Sequence, residues 1–121
     1  GDSYSLKMSG LLTSSTGDGI SIRLFSNFEG DRRVMFEVSP SLDQLLAGYW
    51  ELEVELVFRE NSVLAAGNFG QFPINANKSF TGVGFTAESL LIRTDDNDIS
   101  LRYTGNLELF TCTQAVLTKI F

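Results

Sequence analysis

Gly48-Tyr49-Trp50-Glu51-Leu52-Glu53-Val54-Glu55-Leu56-Val57-Phe58 decides the fold class. Trp50, Leu52, Val54 and Leu56 alternate with Glu51, Glu53, Glu55 and Val57. A period of two, apolar on one side and charged on the other, is a β-strand with one wet face. Similar alternation recurs at Ile20-Ser21-Ile22-Arg23-Leu24, Val34-Met35-Phe36-Glu37-Val38 and Ile99-Ser100-Leu101-Arg102-Tyr103, so the chain reads as strand after strand.

Between these segments lie Ser14-Ser15-Thr16-Gly17-Asp18-Gly19, Asn27-Phe28-Glu29-Gly30-Asp31, Gly67-Asn68-Phe69-Gly70, Asn75-Ala76-Asn77-Lys78, Thr94-Asp95-Asp96-Asn97-Asp98 and Thr104-Gly105-Asn106. Gly, Asn and Asp accept positive φ or close local side-chain turns, which marks these stretches as hairpins and loops. Strands are predicted over 4–12, 19–28, 32–38, 48–59, 61–66, 79–86, 88–93, 98–103, 106–112 and 114–121. Eight to ten short strands at this spacing predict an antiparallel sandwich or barrel. One segment departs from the pattern. Ser41-Leu42-Asp43-Gln44-Leu45-Leu46-Ala47-Gly48 has a capping-box Ser and Gln, leucines at helical spacing and a terminal Gly, which predicts a short helix near 41–47 that plugs one end of the sandwich.

The 121 residues make one domain, large enough to bury roughly two-thirds of its unfolded surface without staples. A net charge of −6, with nine Lys and Arg scattered along the chain, argues against a nucleic-acid partner, which needs a basic stripe. Histidine is absent, which removes the commonest general base, the commonest zinc ligand and any Ser-His or Cys-His nucleophile pair. The single Cys112 has no partner for an intrachain disulfide and reads as a small buried hydrophobe, with a reactive or interchain role as the other reading. No apolar run approaches the roughly 20 residues needed to span a bilayer, so membrane insertion is not expected. A start at Gly1, with no initiator Met or signal-like segment, suggests a processed chain or an excised fragment.

Several constellations have a bland and a sharp reading. Asp95-Asp96-Asn97-Asp98 offers closely spaced oxygen ligands but lacks the glycine and distal glutamate of a calcium loop; it reads as a turn, with calcium dispensable. Glu51, Glu53 and Glu55 stand about 7 Å apart along one strand face. A glycosidase pair needs one buried acid, so these read as a solvated face or as partners of Arg23, Arg93 or Arg102 across the sheet. Asn77-Lys78-Ser79 is a glycosylation sequon with meaning only in a eukaryotic secreted protein. Thr81-Gly82-Val83-Gly84-Phe85 lacks the lysine-serine ending and the helix of a phosphate loop, and reads as a strand with close glycine packing. Tyr49, Trp50, Phe69, Phe72 and Phe80 are either core or a platform for stacking carbohydrate. No cofactor is expected.

Three stretches resemble the jelly roll of the tumour-necrosis-factor and complement globular-head superfamily, which also forms trimeric knobs of phage and viral fibres. Ala47-Gly48-Tyr49-Trp50-Glu51-Leu52 is similar to the Gly-x-Tyr lead into its long central strand. Leu90 to Leu101 is similar to its apolar strand, acidic turn and following strand, and Ala115-Val116-Leu117-Thr118-Lys119-Ile120-Phe121 to its C-terminal strand. They cover 25 of the 121 residues, and the superfamily's aromatic closing motif with a glycine is missing. The resemblance implies a homotrimer packed about a threefold axis, with a receptor or small ligand on outer loops or in clefts between protomers.

Composition points the same way: Leu107-Glu108-Leu109-Phe110 and Ala115-Val116-Leu117 are apolar on both faces, and a strand of that kind needs cover on both. An extra loop or strand of the same chain is the other source of cover. The candidate interface is Leu109, Val116, Leu117, Ile120 and Phe121, the last four turned both to the core and to the axis. The expected function is a non-enzymatic binding and assembly module, a trimeric knob at the tip of a virion or extracellular fibre in host or receptor attachment. The alternative is a monomeric sandwich domain of a secreted or periplasmic adhesin that binds glycan or protein.

Overall fold

The computed structural model describes residues 2–14, 20–39, 46–60, 62–73, 80–90, 98–105 and 107–120. Among these residues it is all-β, with eight strands: β1 (Ser3–Ser14), β2 (Ser21–Phe28), β3 (Asp31–Val38), β4 (Leu46–Phe58), β5 (Ser62–Pro73), β6 (Phe80–Leu90), β7 (Asp98–Thr104) and β8 (Leu109–Lys119). Every pairing is antiparallel. A five-stranded sheet runs β6-β5-β4-β1-β8 and a three-stranded sheet runs β3-β2-β7.

The alternation in β4 does what its period dictates. Trp50, Leu52, Val54 and Leu56 are buried, and Glu51, Glu53 and Glu55 are exposed. Across from them Ile22, Leu24, Met35, Phe36 and Val38 of the small sheet complete one core, joined by Leu6 and Leu12 of β1 and by Val63, Ala65 and Phe69 of β5. β3 contributes two consecutive core residues because of a bulge. Leu24 opposes Phe36 while the next residue, Phe25, opposes Val34, so Met35 is the extra residue and both Met35 and Phe36 are fully buried. The hairpin between β2 and β3 turns on Glu29 (φ 47°) and Gly30 (φ 82°), a two-residue loop whose positive dihedrals match the twist of the flanking strands.

Three boundaries differ from the sequence reading. Gly67-Asn68-Phe69-Gly70 is no turn but the middle of β5, in register with β4 from Val54 to Glu51. Gly67 is there because a Cβ would collide with the Glu53 carbonyl, and Phe69 is fully buried. The segments predicted as 79–86 and 88–93 share the single strand β6, and those predicted as 106–112 and 114–121 share β8. The helix expected near 41–47 is not seen: Leu46 and Ala47 open β4, and residues 40–45 lie outside the described residues, among which there is no helix. Asp95, Asp96, Asn97, the sequon at Asn77 and Arg93 also lie outside them.

Candidate functional site

β8 is the last strand of the large sheet. It pairs with β1 on one side, and among the described residues no strand pairs with its other side. Its course is set by one bulge. Ser9 opposes Gln114 and Gly10 opposes Cys112, which leaves Thr113 as the extra residue, its hydroxyl donating to the Ser9 carbonyl at 3.3 Å. At this step the backbone of β8 folds over Gly10, so closely that a Cβ there would land on the Thr111 carbonyl oxygen. The same carbonyl accepts the Trp50 indole N–H at 2.8 Å. Trp50 stacks on Phe69 (centroids 5.9 Å apart) and on Phe110 (4.7 Å), and Phe110 meets Tyr103 of β7 at 4.8 Å. A column of four rings thus pins the first third of β8 to both sheets.

Past the bulge that support stops. Leu117 lies on the core-facing side, opposite buried Leu6, while Val116 opposes Lys7 on the outer side and the Ile120 N–H donates to the Ser3 carbonyl. Leu109 is 40% exposed, Val116 46%, Leu117 49% and Ile120 48%. Among the described residues the small sheet has three strands against five and ends at β7, and Leu117 is left half-exposed. The sequence reading turned Val116, Leu117 and Ile120 toward the core as well as toward an axis; in the single chain the core takes up none of them fully. Phe121 lies outside the described residues. Cys112, expected to be buried, is exposed, with its thiol 3.3 Å from the Gln114 carbonyl. It belongs to the edge strand of the large sheet, where it is left open to solvent.

The outer face beside β8 holds a shallow groove of about 510 Å³ whose lining includes Lys7, Glu51, Glu53, Gln114, Val116 and Thr118. Register places Lys7 between Glu53 and Val116, Ser9 beside Glu51, and Ser5 beside Glu55. The glutamates are therefore a solvated face, and the cross-sheet partnership with Arg23 or Arg102 fails because those arginines belong to the other sheet. Arg23 pairs instead with Glu37 at 2.5 Å. The aromatic group divides: Trp50 and Phe69 are core, whereas Tyr49 (57% exposed) and its cross-strand partner Phe72 (41%) extend an outward row that includes Leu11 (38%). Among the described residues no three Cys, Asp or Glu side chains converge as a metal site would require, and no helix is long and apolar enough to cross a membrane.

Sequence reasoning had no means of finding Gly10 or the opposition of Arg23 and Arg102, since each depends on a register between strands far apart in the chain. No family model, curated protein or solved structure matches this chain.

Proposed function

We propose that this domain is a non-enzymatic assembly and binding module that associates with copies of itself through β8 and is fully covered only as a homotrimer. The observation that carries the reading is the pair of half-exposed faces of one unpaired edge strand, with Val116 and Ile120 on one side and Leu117 on the other. Natural sheets blunt free edges with charge, proline or short strands. β8 runs for 11 residues with no proline and a single charge, Lys119 at its end. Besides Lys119 it carries one such device, the bulge at Thr113, and the run from Gln114 to Thr118 between them has neither charge nor proline.

β1 with β8, β2 with β7 and β4 with β5 are pairs that a jelly roll nests, but β1 also pairs with β4 and β5 with β6, which puts the first and last of those pairs in one sheet and departs from jelly-roll order. A knob at the tip of a virion or extracellular fibre, attaching to a host or receptor, is the setting that such a trimer and the superfamily resemblance favour. Size exclusion with light scattering tests the assembly. The expected mass is three times the 13.3 kDa chain, and Leu117→Asp, which places a charge on a half-exposed side chain, should yield folded single chains. A wild-type mass of one chain at micromolar concentration would overturn the proposal in favour of a monomeric adhesin domain.

A further inference from the structure

The small sheet turns a different chemistry outward. Across β3, β2 and β7 one row reads Glu37, Arg23, Arg102, with Arg23 directly opposite both others. The adjoining position on the same face pairs Ser21 with Thr104. On the other side Phe25, only 8% exposed, lies beneath Arg32, whose guanidinium carbon is 4.8 Å from the ring centroid. All of these but Glu37 line a groove of about 440 Å³.

Two features of it are costly unless a ligand is present. Directly opposed residues of an antiparallel pair have Cα atoms about 4.5–5.5 Å apart, and like charges in that position destabilise the sheet. Arg23 and Arg102 occupy such a position in a chain with 15 acidic residues and nine basic ones. Glu37 neutralises one guanidinium, and among the described residues Arg102 has no ion pair. Second, the Ser21 hydroxyl is shut off from solvent with no hydrogen-bond partner among the described residues. Local rules broken together at one surface site are a mark of function.

We infer that this groove binds a compact oxyanion, a sulfate, phosphate-monoester or carboxylate group carried on a small ligand, between Arg102 and Arg23. Guanidinium forks match the paired oxygens of such groups, and exposed Thr104 supplies a hydroxyl donor beside them, which the Ser21 hydroxyl joins by rotating about χ1 toward the groove. The ligand is small because the groove has room for only about 440 Å³. No residue of β8 lines the groove, so this binding stands or falls separately from the homotrimer.

The test is titration of the full chain at low ionic strength with sodium sulfate, orthophosphate and glucuronate, read by the arginine Nε–H resonances in proton–nitrogen correlation spectra. At least one anion should give saturable shifts at Arg23 and Arg102, and the tightest of the three names the group. Arg102→Gln should weaken that binding by about tenfold or more, as loss of a charge-assisted hydrogen bond does. Arg33→Gln removes the same charge from a side chain that pairs with Asp31 outside the groove, and should leave the affinity within about twofold. Absence of saturable shifts with all three anions, or equal weakening by the two substitutions, would overturn the assignment.

Discussion

Gly10→Ala should be among the most damaging single-methyl additions available in this chain. The added Cβ would take the place of the Thr111 carbonyl oxygen and press on the Trp50 indole nitrogen at 2.8 Å. Both are held by the fold rather than by flexible ends, so β8 must lift away. Overpacking of this kind costs about 1–3 kcal/mol. Lifting the carbonyl also strands the indole N–H of a fully buried Trp50, about 1–3 kcal/mol more. The sum, about 2–6 kcal/mol, is a large share of the 5–15 kcal/mol that typically holds a domain together, and corresponds to a fall in melting temperature of about 8–25 °C. Because Trp50 is the one tryptophan, its fluorescence during urea unfolding reports on this contact directly, and a red-shifted native emission should accompany the loss. Gly30→Ala is the control: its φ of 82° strains a side chain, but no atom lies within 4 Å of the new Cβ, so about 1–2 kcal/mol is expected. Should Gly10→Ala fail to fold at all, Trp50→Phe keeps a ring between Phe69 and Phe110 while removing the donor, and should cost about 1–3 kcal/mol. A Gly10→Ala protein with unchanged midpoint and emission would refute the account of how β8 is seated.

Three further outcomes follow from the packing. Glu29→Asn replaces a residue at φ 47° with one that tolerates it, and should raise the urea midpoint by the equivalent of about 0.5–1 kcal/mol. Gln71 is fully buried with neither amide atom partnered among the described residues, so Gln71→Met should leave stability unchanged or raise it by about 1 kcal/mol in thermal unfolding; a loss of 2 kcal/mol or more would mean that the amide is bonded. Cys112 should react with a thiol reagent nearly as fast as in urea when the chain is diluted to monomer, and severalfold more slowly at concentrations where light scattering shows assembly, because it sits on the strand the assembly covers. Equal rates in the two conditions would take β8 out of the interface.

How much of this was legible in the chain depended on range. β4 could be read from its own residues, since strict alternation over Trp50–Leu56 leaves one solution once a core exists. The apolar character of β8 on both faces was equally local, and so was the turn at Glu29-Gly30. What failed was the meaning of individual small residues. Gly67 and Gly70 read as a turn because glycine tolerates unusual dihedrals, whereas Gly67 serves to let the Glu53 carbonyl approach. Thr113 read as a gap between two strands because a bulge interrupts alternation in the same way that a loop does. Partnership was beyond local reading altogether: Glu51, Glu53 and Glu55 are separated from Arg23 and Arg102 by the core itself, and only the register of β2 with β7 puts two arginines side by side.

The pairing of β1 with β8 also determines how the domain responds to tension. Tyr4 opposes Lys119 and the Ile120 N–H reaches the Ser3 carbonyl at 2.8 Å, so the start of β1 and the end of β8 lie side by side at one end of the sheet. Force applied through these two points runs across the ladder rather than along it. Its hydrogen bonds are then loaded one pair at a time from the Tyr4 end, as teeth of a zipper are, instead of all at once in shear. A domain strung by both ends would yield at low load and peel β8 off first, whereas one attached by a single end would feel no such pull.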